Sequence, residues 1–307
     1  MNILVIGHEG YLGRGLFDYF KRRHKVWGWD KKEDLFNLGF KFLADNNIEA
    51  VVNLSVAADR QGKNFVIDAP GDRVNVQGAR HLAEILKGTD ISWFQLSTRE
   101  VLGPIYGVKD VTKTKNGYRP KRLIDESYPY APLNFYGKSK VMAEMISESH
   151  SKSNVIRLTS CYTDYDHPGG GNWMVGIIKA AVNKKPVTLT RGGRQFRDPM
   201  HVDDLGHLVE LLHERKVFGE KFHAGGGRKN LISLLEFVKL ADPKAKIAAM
   251  AGGDYGFAFD NKKALRLAGW APQVLVRDKI AVIADNIRRG VMEPPPKKGV
   301  AAALRRG

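Results

Sequence analysis

The chain has 307 residues, 43% hydrophobic and 27% charged, and no apolar run reaches the roughly 18 residues of a membrane helix, so no membrane partner is expected. Its one cysteine, Cys161, excludes an internal disulfide and reads as a small buried residue; without a Cys/His cluster at ligand spacing no metal is expected. The formal charge of +16 is spread along the chain except in the tail EPPPKKGVAAALRRG, and no nucleic-acid module accompanies it, so it reads as a basic surface that also attracts a small anionic ligand.

The opening MNILVIGHEG is a strand pattern running into glycines, without the basic flank and cleavage site of a signal peptide, which predicts a cytoplasmic enzyme. NILVIG is followed by the helical pattern YLGRGLFDYFKRR, KVWGWD by LGFKFLADNN, EAVVNLS by the amphipathic DRVNVQGARHLAEILK, and ISWFQLS by NFYGKSKVMAEMISESH; NVIRLTS closes the series. Such alternation predicts an α/β fold, a doubly wound parallel sheet covered by helices on both faces. The polar segment between Gly103 and Asn134 and the stretch DYDHPGGGN read as long loops at the carboxyl ends of strands, where such folds place ligands.

Beyond about residue 160 the order loosens. A helix over 173–183, a strand VTLT, a turn RGGRQF, a helix over 202–215, a strand EKFHAGG and a helix LISLLEFVKLA predict a smaller substrate lobe over 161–292. This lobe is interleaved with the last core elements, which run to about 215, and follows a cofactor domain over 1–160. The tail 293–307, with three prolines, reads as disordered.

In GHEGYLG, glycines at 7, 10 and 13 lie between the first strand and first helix. Gly7 permits the tight turn, Gly10 lets backbone approach a pyrophosphate, and Gly13 allows close packing, while the helix N-terminus offers N–H groups and positive dipole. Asp30, ending the second strand, suits the hydroxyls of an adenosine ribose and repels a 2′-phosphate, so NAD is the expected cofactor; Lys31 and Lys32 leave NADP open. In NFYGKSK, Tyr136 and Lys140 share one helix face. An ammonium beside a phenol stabilises the phenolate and makes it a usable base. Thr98, Arg99 and Glu100 stand at the end of the strand ISWFQLS, either as a solvated turn or as a set of catalytic handles.

Together these motifs resemble the extended short-chain dehydrogenase/reductases of the NAD-dependent epimerase/dehydratase family, which act on nucleotide sugars. The resemblance extends to about Arg289 and rests on the GxxGxxG loop, NVQGARHL with Asn75, the STRE strand end, YGKSK, VIRLTS and QFRDPMHVDDL. It implies a Rossmann-type fold, a nucleotide-sugar substrate, and a homodimer formed through the helix bearing Tyr136 and the one before it. It implies catalytic residues Thr98, Tyr136 and Lys140, with Glu100 and Arg99 beside them. Cofactor contacts are implied at Gly7, Gly10, Tyr11, Leu12, Gly13, Asp30, Asp34, Leu35, Leu54 and Asn75, as well as Tyr136 and Lys140. Substrate contacts are implied at Ser160, Asn172, Arg191 and Arg197, the last at the diphosphate.

Two departures concern the substrate: Ser160 stands where many relatives have asparagine, and Leu102 where they have tyrosine. A third concerns the reaction. A 4,6-dehydratase carries an aspartic acid between its threonine and glutamate; here Arg99 takes that place, and a guanidinium cannot act as the acid. A redox epimerase is therefore expected first. A sugar-acid decarboxylase or dehydratase, a carbonyl reductase and a non-catalytic nucleotide-binding protein stay open as alternatives.

Overall fold

The apolar runs of the sequence become the strands β1 Asn2–Ile6, β2 Lys25–Trp29, β3 Ala50–Asn53 and β4 Ser92–Thr98, joined by Ser153–Leu158 and Glu220–Ala224. The structure, a computed structural model, describes residues 1–30, 33–58, 66–167 and 173–291. All six strands run parallel in one sheet, in the spatial order β2, β1, β3, β4, Ser153–Leu158, Glu220–Ala224. Every residue of β3 and of Ser153–Leu158 is buried, as a parallel sheet covered on both faces requires. The chain turns from β1 to one side for β2 and to the other for β3. The crevice at their carboxyl ends is the switch point where open α/β sheets take their ligands.

Alternation along β1 sends successive residues into opposite layers. Ile3 and Val5 pack with Leu16 and Phe20 of α1 (Tyr11–Lys21), and with Leu205 and Leu208 of the helix Val202–Glu214. Leu4 and Ile6 pack with Leu43 of α2 (Phe40–Asp45), Leu82 of α3 (Gly78–Leu86) and Ala143 of α4 (Phe135–Ser147). The helices Trp173–Val182, Leu234–Ala241 and Val276–Arg288 build a separate core around Tyr162.

Four details differ from the sequence reading. The strand in EKFHAGG is not part of a separate lobe: Glu220–Ala224 pairs with Ser153–Leu158 and buries Phe222 and Ala224, so the main sheet has a sixth strand and its core runs past 215. The polar segment before α4 is not loop throughout, because Val111–Thr114 and Gly117–Pro120 form an antiparallel hairpin that turns through Lys115 and Asn116, with Gly117 opposite Thr114. The strand VTLT gains a parallel partner, Ile247–Met250. The helix expected over DRVNVQGARHLAEILK opens instead as a π-helical turn, Asp72–Gln77, before α3. Cys161 packs at the edge of the first core, and burial pushes its thiol up, far from thiolate chemistry. Among the described residues no helix is long and apolar enough to cross a membrane, and no group of His, Cys, Asp and Glu is arranged to hold a metal. The tail 293–307 lies outside the described residues.

Candidate active site

The turn between β1 and α1 is built for backbone alone. Gly7 has φ +83° and donates its N–H to Trp29 O at 2.7 Å. A Cβ on Gly13 would come within 1.9 Å of the Gly7 carbonyl oxygen, so no side chain fits there without opening the turn. Gly10 is the N-cap of α1 and brings no capping side chain, and the first turn of α1 has no acidic residue. The orphan N–H groups and the positive end of the dipole are thus left for an external anion.

Below the turn lies a cavity of about 690 Å³, bounded by Gly7, Gly10, Asp30, Asp34, Leu35 and Leu54 among others. Asp30 Oδ2 accepts the Glu9 N–H at 2.7 Å, which fixes this carboxylate at the rim of the loop. His8, between the first two glycines, lies over Gly28, where a Cβ would meet its ring at 2.4 Å. Asp34 takes φ +48°, caps the short turn after it through Phe36 N, and pairs with Arg73 at 3.7 Å. Arg73 in turn sits over the Phe36 ring. Lys31 and Lys32, on which the NADP alternative turned, lie outside the described residues.

Tyr11 and Asn75 act through neighbouring backbone. The Tyr11 hydroxyl accepts Thr163 N–H at 2.7 Å, tying the start of α1 to the loop after Ser160, while Leu12 packs against the first core. Asn75 sits in the π-helical turn, accepts from Ala57 N, and donates to Ala57 O at 3.0 Å and to Ser139 Oγ at 2.8 Å. Its amide therefore braces the loop after β3 against α4.

Thr98 is the last residue of β4, and its Oγ1 accepts the Glu100 N–H at 3.3 Å, leaving the hydroxyl hydrogen to donate elsewhere. Tyr136 and Lys140 lie in the first two turns of α4 and are both buried, Lys140 to 3% exposure. Burial brings the Lys140 ammonium down to about 8, against an upward pull from the Glu144 carboxylate. Glu100 is a brace as well as a carboxylate: its Oε2 accepts from Asn134 Nδ2 at 2.9 Å, and Asn134 is the N-cap of α4.

Arg99 occupies the short turn after β4, with its guanidinium carbon 4.0 Å from the Phe257 ring centre. Arg197 lies at the same distance from the same ring, and its fork closes on Asp254 at 3.0 and 3.2 Å. Burial, together with the nearby Arg99, lowers Arg197 against the pull of Asp254. Arg191 lies 3.9 Å over the Tyr255 ring and donates to Gly253 O. Three arginines thus converge on residues 253–257, a segment the sequence reading passed over. Ser160 is buried, and its Oγ lacks a hydrogen-bond partner among the described residues. Asn172 lies outside them.

The profile of the NAD dependent epimerase/dehydratase family matches residues 3–225. The chain belongs to this family. CDP-paratose 2-epimerase of Salmonella typhi is 26% identical over 288 residues, which cover 83% of this chain and 81% of that enzyme. dTDP-glucose 4,6-dehydratase 1 of Escherichia coli (strain K12) is 25% identical over 222 residues, 66% of this chain and 60% of that one. Among solved structures, UDP-glucuronic acid 4-epimerase from Bacillus cereus, in complex with NAD, superposes with a TM-score of 0.77 at 21% identity, covering 95% of this chain and 100% of the other. At that identity the likeness shows the fold alone, which is of the Rossmann type.

Proposed function

We propose that this family member is an NAD-dependent redox epimerase of nucleotide sugars. The observation that carries the reading is Arg99: the residue directly after Thr98 is a guanidinium stacked on Phe257, and it cannot protonate a departing hydroxyl. Epimerisation needs no such acid.

The glycine turn fits the pyrophosphate of NAD, and Asp30 stands where the adenosine ribose would lie. When bound, NAD supplies the electron-pair acceptor of the first half-reaction and the donor of the second. The phenolate of Tyr136 takes the proton of the sugar hydroxyl as that carbon is oxidised and returns it after the ketone has turned over. Lys140, one helical turn away, stabilises that phenolate by its charge. Thr98 donates its hydroxyl hydrogen to the same sugar oxygen, while one of its lone pairs accepts Glu100 N–H. Arg197 and Arg191 stand on the substrate side, suited to phosphate oxygens.

The test is a panel of nucleotide sugars and sugar acids, incubated with the protein and NAD in heavy water and read by NMR. A stereoisomer without solvent deuterium at C5 is expected. Deuterium at C5, or release of carbon dioxide, would overturn the simple epimerase.

A further inference from the structure

We propose that Glu144 is a positioning residue of the reaction: its carboxylate holds the face of α4 that carries Tyr136 and Lys140 against the strand end that carries Thr98, and it provides the counter-charge for Lys140. The proposal rests on the catalytic reading of those three residues.

Glu144 lies four residues after Lys140 and eight after Tyr136, on the same helix face. It is fully buried, and its carboxylate is saturated from three directions. Ser97, the neighbour of Thr98 on β4, donates its hydroxyl to Oε1. Arg157 donates Nε to both oxygens at 3.1 Å and Nη2 to Oε2 at 2.7 Å. Tyr130, from the segment leading into α4, donates its hydroxyl to Oε2 at 2.7 Å. Ser97 and Arg157 are themselves directly opposite one another in the sheet. One carboxylate therefore gathers β4, the adjoining strand, the approach to α4 and α4 itself, one turn from the catalytic lysine.

Stability alone does not call for such a group. A buried ion pair loses so much solvation that apolar residues of the same volume commonly serve a core as well or better. What an apolar residue cannot supply is direction, fixed by four donors, and a negative charge beside a buried ammonium. The surrounding charges leave that task to Glu144. Arg157 and Tyr130 face it directly; His223, 3.4 Å from Arg157 Nη1, is brought down to about 3 by burial and is neutral; Lys221, above the Tyr130 ring, pairs with Glu148. Glu144 is the one negative group acting on the ionisation of Lys140 among the described residues.

The test measures NAD affinity of the full chain by fluorescence quenching across a pH series, and so needs no sugar substrate. A failure of the epimerase reading leaves it standing, and its own failure leaves the epimerase reading intact. Native affinity should break near pH 8, where Lys140 ionises, and Lys140→Met should abolish the break. Glu144→Gln should move the break down by about one pH unit or more, and Glu144→Asp, which keeps the charge, should leave it in place. A native protein without a lysine-dependent break, or a break unmoved in Glu144→Gln, overturns the proposal. Because Gln leaves Arg157 charged and unmatched in the core, the paired exchange Glu144→Met with Arg157→Met keeps the space filled and serves as the folded control. Native pH dependence in that double variant equally overturns the proposal.

Discussion

Asn134 links the start of α4 to the end of β4: its side-chain oxygen accepts Gly137 N–H at 2.8 Å, and its nitrogen donates to Glu100 at 2.9 Å. Replacing it with alanine removes an N-cap and the Glu100 brace together. A loss of about 1 kcal/mol is expected, seen as a fall of roughly 2–4 °C in melting temperature. Asn134→Asp keeps the capping oxygen but sets a second carboxylate against Glu100; it should recover most of the stability and little of the turnover.

Gly13→Ala places a methyl group against the Gly7 carbonyl oxygen, at a distance of 1.9 Å before relaxation. The turn must open, and the backbone N–H groups of α1 lose their aim. NAD binding measured by calorimetry should weaken by at least about tenfold, about 1.4 kcal/mol. Retained native affinity would refute the pyrophosphate cradle.

Tyr136→Phe removes the proposed base while preserving the ring that α4 buries. Turnover should fall by about 10²–10⁴ with NAD affinity little changed. Activity within a few-fold of native would refute the mechanism.

Asp198 offers a test by pH. Burial raises its carboxyl from 3.8 to about 7, and Oδ1 has no hydrogen-bond partner among the described residues, although Oδ2 accepts Phe259 N–H. Between pH 4 and 7 the folded protein therefore binds more protons at this site than the unfolded chain, and stability falls as pH rises through that window. Above about 7 both states are ionised and the loss is complete. Asp198→Asn should flatten this decline and raise the melting temperature at pH 8 relative to native. A native protein whose melting temperature gains nothing from the substitution at pH 8 would contradict the buried, protonated carboxyl.

The sequence showed the cofactor side clearly because its signals are local. The glycine spacing, the strand before it and Asp30 fall within thirty residues, and backbone geometry leaves few other ways to place them. Thr98, Tyr136 and Lys140 were legible for a similar reason: one ends a strong apolar run, and the others keep helical spacing. The substrate side was harder. Residues 253–257 meet Arg99, Arg191 and Arg197 only through tertiary packing, and nothing in GGDYGF announces those partners. Glu144 likewise reads as an ordinary helix glutamate until Arg157 and Ser97 are brought to it by the sheet. The hairpin that turns through Lys115 and Asn116 lay in a segment that its polarity made look irregular. Asn75, expected at the cofactor, commits its amide to Ala57 and Ser139 and so braces the loop after β3.

The gathering of three arginines on residues 253–257 separates what this protein would grip from what it would do. The residues of the proposed redox centre come from the first half of the chain, whereas the aromatic rings under the arginines come from its last fifth. On the proposed reading, exchanges at Tyr255 and Phe257 would alter which sugar nucleotide is accepted while leaving Thr98, Tyr136 and Lys140 in place. A lineage of such enzymes can diversify its substrates by rewriting one short C-terminal passage.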